Sequence, residues 1–319
     1  MRVLITGAAG FAGSHLADFL AAKRGVEIHG LKRRASSDEN LKHLGRKIHL
    51  HNCDLSDASG VSRLLKKIRP ERIHHLAAKS FVVTSWDHPA QILSANIFGE
   101  LNLLEAVRNL KLSCAVHIAG SSEEYGEAPV SEFPLSEKAS FRPLSPYGVS
   151  KVAQELLAYQ YGRSYGIKVV TTRAFSHTGP RQSGMMVAGS FAKQIALIEA
   201  GKQAPVLRVG NLESSRDFTD VRDVVRAYWL ALEKGRSGEA YNVCSGKTRK
   251  VRDILKIYLA ESCVKIRVER DLARLRKIDT PGLVGDASKL KKQTGWRPEI
   301  PFEKTLKDLL NFWREKIGS

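Results

Sequence analysis

The segment from Ser121 to Gly126, SSEEYG, concentrates side chains that can exchange protons. Two adjacent hydroxyls, two adjacent carboxylates and a phenol follow AVHIAG, an apolar run typical of a buried strand. Such groups are unfavourable in a hydrophobic core and suit general acid–base chemistry. The segment is therefore the first candidate for a reactive centre, although its spacing alone does not say which side chain moves a proton.

A second candidate is the pair Tyr147 and Lys151 in SPYGVSK, at the start of a helical pattern. Residues four apart share one helix face, so the ammonium would lie beside the phenol. A cation there stabilises phenolate, which predicts a pKa of Tyr147 lowered toward the range useful to a general base. Such pairs also occur by chance on helix surfaces, and the interpretation depends on the other motifs of the chain.

The sequence GAAGFAG places Gly7, Gly10 and Gly13 directly after the first apolar run and before a helical pattern. Positions without side chains let the backbone approach a pyrophosphate, and the free amides at a helix start favour its negative charge. Glycine triplets alone are common, but this context predicts a dinucleotide-binding turn.

The stretch KRRASS at 32–37 helps to distinguish NADP from NAD as the cofactor, because it contains no carboxylate before Asp38. A cofactor without a 2′-phosphate usually meets an acidic residue after the second strand. Arg33 and Arg34 suit a 2′-phosphate instead, so we predict NADP rather than NAD; the alternative is a solvated basic loop. Asp54, in NCDL, could bind the adenine amine or cap the next helix, and the sequence leaves both open.

The elements that must position these residues alternate between short apolar runs and helical patterns, from RVLIT at the start to KVVTTRAF near residue 174. This alternation predicts an α/β fold with a doubly wound parallel (Rossmann) sheet, in which SSEEYG lies at the carboxyl end of a strand, where such sheets bind ligands. We predict an NADP-binding domain over residues 1–174, completed by about 215–245. A smaller, interleaved substrate domain would comprise residues 175–214 and 246–319.

Composition limits the remaining classes of protein. The chain has 319 residues, of which 43% are hydrophobic and 26% charged, which indicates a globular rather than a disordered protein. It shows no signal-peptide pattern and no apolar stretch of membrane-spanning length, so the default location is the cytoplasm and no membrane is expected. The four cysteines lie far apart, which predicts reduced, buried thiols and no metal site. The net charge of +18 is scattered, which favours a phosphate-bearing substrate or a solvated surface over nucleic acid.

The motifs together resemble the extended short-chain dehydrogenases/reductases that act on nucleotide sugars. The resemblance extends over essentially the full chain and depends on GAAGFAG, LAAKS at 76–80, SSEEYG, Tyr147 to Lys151, RAFSHTGPRQ at 173–182, RDFTDVRDV at 216–224, YNVCSG at 241–246 and TGWRP near the end. The chain is most similar to the GDP-sugar branch, which comprises GDP-mannose 4,6-dehydratases and GDP-4-keto-6-deoxymannose reductases. KRRASS resembles the dehydratases, whereas FAKQI, VGNLESSRDFTDV and the short tail look equally like the reductases.

The resemblance implies a reaction and its residues. Tyr147 would take the proton from the sugar 4-hydroxyl as NADP⁺ accepts the C4 hydride, Lys151 would hold the phenolate and the nicotinamide ribose, and Ser121 would orient the hydroxyl. Glu123 matches the catalytic glutamate of the dehydratases and would remove the C5 proton before water leaves from C6 and hydride returns there. Glu124 is not assigned a step in the reaction; its predicted role is to orient the neighbouring groups or to contact solvent.

The sequence therefore predicts an NADP-dependent GDP-mannose 4,6-dehydratase. The first alternative is a reductase of the GDP-4-keto-6-deoxy sugar, because reductases of this branch also keep an acid near the position of Glu123. A sugar-nucleotide 4-epimerase is the third reading. A cofactor- or RNA-binding protein without catalysis is disfavoured by the intact Ser121, Tyr147 and Lys151 set.

Further contacts and the oligomeric state are likewise implied by the resemblance. Additional cofactor positions are Phe11, Leu55, Leu76, Ala77 and Ala78, and the substrate positions are Ser80, Ser122, Ser176, Lys193, Arg216, Arg276 and Asp279. Ser176 stands where the family usually has asparagine and Lys277 where it has proline, which leaves a GDP-heptose or a related hexose as alternative sugars. Relatives pair through helices that here would be 90–110 and 146–165, which implies a homodimer or homotetramer.

Overall fold

The computed structural model describes residues 1–274 and 282–318. Arg276, Lys277 and Asp279, which the sequence analysis singled out, lie outside these residues. The strands, in chain order, are β1 (Arg2–Thr6), β2 (Glu27–Lys32), β3 (Ile48–Asn52), β4 (Arg72–His75), β5 (Ala115–Ser121), β6 (Lys168–Ala174), β7 (Ser176–Thr178), β8 (Val206–Val209), β9 (Ser215–Asp220), β10 (Ala240–Val243), β11 (Thr248–Lys250) and β12 (Arg267–Arg270). The helices are α1 (Phe11–Ala21), α2 (Ala58–Ile68), α3 (Val82–Asp87), α4 (Pro89–Leu93), α5 (Gly99–Asn109), α6 (Pro146–Tyr165), α7 (Val187–Glu199), α8 (Val221–Lys234), α9 (Val251–Glu261), α10 (Ser288–Thr294) and α11 (Phe302–Gly318).

The main sheet is parallel throughout the described chain and has the strand order β3-β2-β1-β4-β5-β6-β10. Successive side chains of a strand point to opposite faces, and β1 shows the result. Val3 and Ile5 pack with α1 and α8 on one face, whereas Leu4 packs with α2, α5 and α6 on the other. Helices on both faces of a parallel sheet define the doubly wound fold, so this prediction is confirmed.

The strand order reverses between β1 and β4, and open sheets of this kind bind ligands in the crevice above such a reversal. The turns that follow β1 and β4 meet there. A Cβ atom added at Gly7 would lie 2.9 Å from the backbone of Ala77. The first predicted cofactor motif and LAAKS therefore share one edge of the crevice.

A third hydrophobic cluster lies among α7, α9 and α11, after the end of β6. Two small sheets accompany it, one of β7, β9 and β11 and one of β8 and β12. The segment that contains the YNVCSG motif joins the main sheet as β10, beside β6. The division of the chain into a cofactor domain and a substrate domain stays a prediction.

The helical pattern from about residue 90 to 110 is not one regular helix. A π-helical turn, Ser94–Phe98, separates α4 from α5. The turn carries Asn96, a fully buried amide that donates to Ser150 Oγ over 2.9 Å. Single π turns often mark functional sites, and periodicity cannot show them because they insert one residue into an otherwise helical pattern.

Two further expectations concern the chain as a whole. Within residues 1–274 and 282–318, no helix has both the length and the apolar character needed to cross a membrane. All four cysteines are free thiols. Cys114 and Cys244 are buried as predicted, Cys53 is only partly buried, and Cys263 is exposed, so the predicted burial is wrong for Cys263.

Candidate active site

A cleft of about 1520 Å³ opens above the carboxyl ends of the main-sheet strands. It is lined by the predicted cofactor residues Gly7, Gly10, Phe11, Gly13, Arg33, Asp54, Leu55, Leu76, Ala77 and Ala78. It is also lined by Ser80, Ser121, Ser122, Glu123, Tyr147, Lys151, Ser176, Lys193 and Arg216. Among the described site predictions, Arg34 is the one that does not line it; Arg276 and Asp279 lie outside the described residues.

The glycine turn between β1 and α1 has the form that a dinucleotide pyrophosphate requires. Gly7 has a φ of 70°, in the left-handed region that favours glycine. A Cβ atom at Gly13 would lie 2.2 Å from the carbonyl oxygen of Gly7, so only glycine fits where the helix passes the turn. Gly10 caps α1 without a side-chain hydrogen bond, which leaves the first amides of the helix available to an anion.

The basic loop after β2 faces the same cleft. Arg33 is exposed and lines it together with Ser36 and Ser37. The loop is held from behind by Lys32, whose ammonium donates to Ser36 O over 2.8 Å. This places a guanidinium and two hydroxyls together at the cleft rim, a donor set that suits a phosphate.

Of the two roles that the sequence left open for Asp54, capping of the next helix is not found, and binding of the adenine amine stays a prediction. Its Oδ1 accepts from the backbone amide and the hydroxyl of Ser56, at 2.9 and 2.8 Å, and these bonds lower the pKa of the carboxyl. Asp57, rather than Asp54, caps α2 by accepting from Gly60 N. Asp54 therefore shapes the turn before the helix while it lines the cleft.

SSEEYG forms a short 3-10 turn directly after β5, closed by a capping box. Ser121 Oγ accepts from Glu123 N over 3.2 Å, and Glu124 Oε1 accepts from Ser121 N over 2.6 Å. Glu124 is fully buried and lies 3.6 Å from Arg173, and burial raises its pKa well above the usual range. Glu124 thus orients the turn and does not contact solvent, whereas Glu123 lines the cleft.

Tyr147 lies at the start of α6, which Ser145 caps through Gly148 N. Burial raises the pKa of the Tyr147 phenol above its ordinary value, a hydrogen bond from Ser121 opposes this rise, and the charges of Glu123 and Glu124 add to it. The expected lowering by Lys151 is therefore not found in the protein alone, because removal of the phenol from water is the larger effect.

The Lys151 side chain is held both by the end of β5 and by its own helix. Its Nζ donates to Ala119 O over 2.7 Å and to Gln154 Oε1 over 2.8 Å, and lies 5.8 Å from the centre of the Tyr147 ring. Burial lowers the pKa of Lys151 to about 8, although Glu100 and Glu124 oppose this. The ammonium is thus close to the phenol and is fixed by two acceptors.

The part of the cleft away from the glycine turn holds the predicted substrate residues. Ser176 lies on β7 and is half-buried. The ammonium of Lys193, on α7, lies 5.6 Å from the centre of the Trp313 ring on α11. Arg216 Nη1 donates to Ser215 O over 2.7 Å. These residues are brought to one wall of the cleft, together with Trp313.

Some cleft residues were missed by the sequence analysis. Arg181 has a left-handed φ of 69° and binds Asp18 at 2.5 Å and Asn40 O at 3.2 Å, so it ties the segment after β7 to the cofactor side. Arg181 belongs to the motif RAFSHTGPRQ, but the sequence analysis assigned it no role. No local sequence pattern predicts that Trp313 lines the cleft, because its position depends on how α11 packs against α7.

A doubly wound parallel sheet, a glycine turn after the first strand, a hydroxyl turn after the fifth and a neighbouring Tyr–Lys pair define an extended short-chain dehydrogenase/reductase. Comparison with known proteins agrees with that class. Residues 4–309 match the family model described as GDP-mannose 4,6 dehydratase. The chain belongs to this family, whose members among its relatives include both dehydratases and reductases of GDP-linked sugars.

Three relatives show the extent of the similarity. The GDP-6-deoxy-D-mannose reductase of Pseudomonas aeruginosa is 34% identical over 316 residues, which cover 99% of this chain and 98% of that protein. GDP-mannose 4,6 dehydratase 1 of Arabidopsis thaliana is 35% identical over 335 residues, which cover 98% of this chain and 91% of that protein. The solved structure of RMD from Pseudomonas aeruginosa complexed with NADPH is 32% identical, with a TM-score of 0.86 and 99% of both chains covered.

Proposed function

We propose that this protein is a GDP-mannose 4,6-dehydratase that uses NADP. The proposal depends on Glu123, which lines the cleft in the same turn as Ser121 and near Tyr147. Reductases of this branch also keep an acid near this position, so the role of Glu123 in turnover, rather than its presence, tests the proposal. Oxidation and reduction at C4 need a phenol and a hydride carrier, but elimination of water also needs a base for C5. A carboxylate in this position supplies that base.

NADP is the cofactor, and its nicotinamide would take a hydride from sugar C4 and return one to C6. The residues present fit it: the glycine turn leaves room that any Cβ atom would fill, and Arg33, Ser36 and Ser37 line the rim where a 2′-phosphate would lie.

Tyr147 would act as the general base toward the sugar 4-hydroxyl. Its buried phenol gives up the proton only where a cation stabilises the phenolate, and the ammonium of Lys151 lies close enough to do so. Ser121, with its Oγ fixed by Glu123 N, would hold the hydroxyl in line.

Glu123 would then remove the C5 proton, which the 4-ketone has made acidic. Its backbone amide is anchored to Ser121 while its side chain lines the cleft, so the carboxylate is placed near the sugar without being tied to another charge by the capping box. Lys193 and Arg216 would bind the diphosphate, and Ser80, Ser122 and Ser176 the sugar, from the walls of the same cleft.

A second candidate is the reductase of the 4-keto-6-deoxy sugar, and the extent of the alignments favours it. The alignment with the reductase leaves less of that protein unmatched than the alignment with the dehydratase does. A reductase needs Tyr147 and Lys151 but no base for C5. The role of Glu123 therefore separates the two candidates.

A homodimer or homotetramer that pairs through the helical segments 90–110 and 146–165 is part of the proposal. Four large apolar side chains of α6 are about half exposed, namely Val149, Leu156, Tyr159 and Tyr165. Apolar residues clustered on one exposed helix suit contact with a second copy of the chain.

The decisive experiment follows sugar nucleotides by mass spectrometry. The protein, purified without added cofactor, is mixed with GDP-mannose; loss of the mass of one water without added NADPH supports the dehydratase. Glu123→Gln should abolish this loss while NADPH still binds, whereas the exposed control Glu127→Gln should retain it. If GDP-mannose is unchanged but the 4-keto-6-deoxy sugar nucleotide is reduced with NADPH, the dehydratase proposal is wrong and the reductase is correct.

A further inference from the structure

Lys79 is a cation of the cleft to which the reaction above gives no role. It belongs to the LAAKS segment after β4, is half-buried and lines the cleft. Its ammonium donates to Gln91 Oε1 over 3.0 Å, and Gln91 lines the cleft as well. Within residues 1–274 and 282–318, no carboxylate forms an ion pair with Lys79. Since an ammonium has three donors, this group can still bind an anion.

The backbone at Lys79 is held by Asn96, the buried amide of the π-helical turn. Lys79 N donates to Asn96 Oδ1 over 2.8 Å, and Asn96 Nδ2 donates to Lys79 O over 3.3 Å. Asn96 Nδ2 also donates to Ser150 Oγ over 2.9 Å, and that hydroxyl donates to Tyr147 O over 2.7 Å. Two fully buried side chains therefore join Lys79 to the residue of the proposed general base. A backbone fixed in this way reduces the entropy that binding would cost.

The same segment reaches the glycine turn at its other end. A Cβ atom at Gly7 would lie 2.9 Å from the backbone of Ala77, two residues before Lys79. The segment thus runs from the turn that suits a pyrophosphate toward the helix that carries Tyr147. A dinucleotide in the cleft would extend in the same direction, with its pyrophosphate at the glycine turn.

The charges in the cleft leave one phosphate group without a cationic side chain. Arg33 is assigned to the 2′-phosphate, and Lys193 and Arg216 to the diphosphate of the sugar nucleotide. The pyrophosphate of the cofactor has so far only the backbone amides of the glycine turn. Three other cations that line the cleft already pair with carboxylates, namely Arg181 with Asp18, Arg274 with Asp271 and Lys316 with Glu39.

We propose that Lys79 binds a diphosphate oxygen in the cleft, and its place beside the glycine turn favours the pyrophosphate of the cofactor. The inference rests on the proposed use of NADP and a GDP-sugar. The ammonium would exchange the neutral amide of Gln91 for a charged acceptor, and hydrogen bonds between charged groups are the stronger ones. The diphosphate of the sugar nucleotide offers the same chemistry, so the test must separate the two sources.

Two titrations test the inference: NADPH binding followed by fluorescence, and GDP binding to the NADPH-loaded protein followed by calorimetry. Lys79→Met keeps the apolar stem and removes the ammonium, so it should weaken NADPH binding by about tenfold, the lower limit for a hydrogen bond to a charged group. Lys79→Arg keeps the charge and should lose less. The difference from the wild type should shrink as salt is added. Lys67→Met is the matched control, because Lys67 is exposed on α2 and does not line the cleft.

The pattern of losses decides the source and the inference. Weaker NADPH binding with normal GDP binding assigns Lys79 to the cofactor, and the reverse assigns it to the diphosphate of the sugar nucleotide. Normal affinity for both ligands in Lys79→Met overturns the inference while the proposed function stands. Equal losses in Lys79→Met and Lys67→Met also overturn it, because the effect is then one of net charge. If the wild type binds neither ligand, the proposed function fails and the inference fails with it.

Discussion

Replacing Arg173 with methionine should destabilise the protein by about 3–5 kcal/mol, the typical cost of removing one partner from a buried ion pair. Its guanidinium donates in a fork to Glu155, with Nε–Oε2 at 2.9 Å and Nη2–Oε1 at 2.6 Å. The two side chains are only 6% and 12% exposed, so the remaining carboxylate would be left nearly without solvent. Tyr125 Oη and Glu137 O would also lose a donor, which favours the upper part of the range.

Urea denaturation followed by tryptophan fluorescence measures this loss. The double variant Arg173→Met/Glu155→Met should lose at least about 2 kcal/mol less than the sum of the single variants, because neither charge is then buried alone. Arg142→Met is the matched control. Arg142 also donates two hydrogen bonds to one carboxylate, from Nη1 and Nη2 to Glu132, but both side chains are more than a third exposed, so the expected loss is below about 1 kcal/mol. Additive single losses, or an Arg173→Met variant as stable as the control, would refute the reasoning.

Three further outcomes are expected at the cleft and at the turn after β5. Arg33→Ala should weaken NADP binding by about tenfold and leave NAD binding unchanged, while Arg34→Ala, which lies off the cleft, should have a smaller effect; equal losses for both cofactors would contradict the assignment. Gly13→Ala should abolish NADPH binding measured by fluorescence, because its Cβ atom would lie 2.2 Å from a backbone oxygen, whereas Gly162→Ala, whose nearest contact is 3.5 Å, should bind normally. Because burial raises the pKa of Glu124, its folded form keeps a proton that the unfolded chain releases above its ordinary pKa of 4.5. The free energy of unfolding of the wild type should therefore fall relative to Glu124→Gln as pH rises from about 4 to about 8, and a difference independent of pH would contradict the raised pKa.

The parts of the site that the sequence predicts are those encoded within one turn. In GAAGFAG the helix α1 begins close to the end of β1. A Cβ atom at Gly13 would lie 2.2 Å from the carbonyl oxygen of Gly7, which is why glycine is required there. SSEEYG ends a strand, and Ser121 and Glu124 close its capping box within four residues. The alternation of strands with helices then predicts the sheet, because parallel strands need crossover connections and the crossover helices cover both faces.

The parts that the sequence does not predict depend on packing between distant segments. Trp313 enters the cleft because α11 packs against α7, and Arg181 meets Asp18 across 163 positions of the chain. The effect of Lys151 on Tyr147 is of the same kind. Spacing indicates that the two groups are neighbours, but whether the pKa of the phenol rises or falls depends on how much water the assembled cleft excludes.

Two ion pairs join late segments of the chain to the side of the cleft that holds the glycine turn. Arg181, which follows β7, binds Asp18 on α1, and Lys316 of α11 lies 3.1 Å from Glu39, just after the basic loop. We therefore expect a substitution that shifts α11 or the segment after β7 to disturb the rim beside Arg33 as well, where the 2′-phosphate is expected to bind. Changes of sugar specificity engineered on the late segments should for this reason be judged by NADP affinity as well as by turnover.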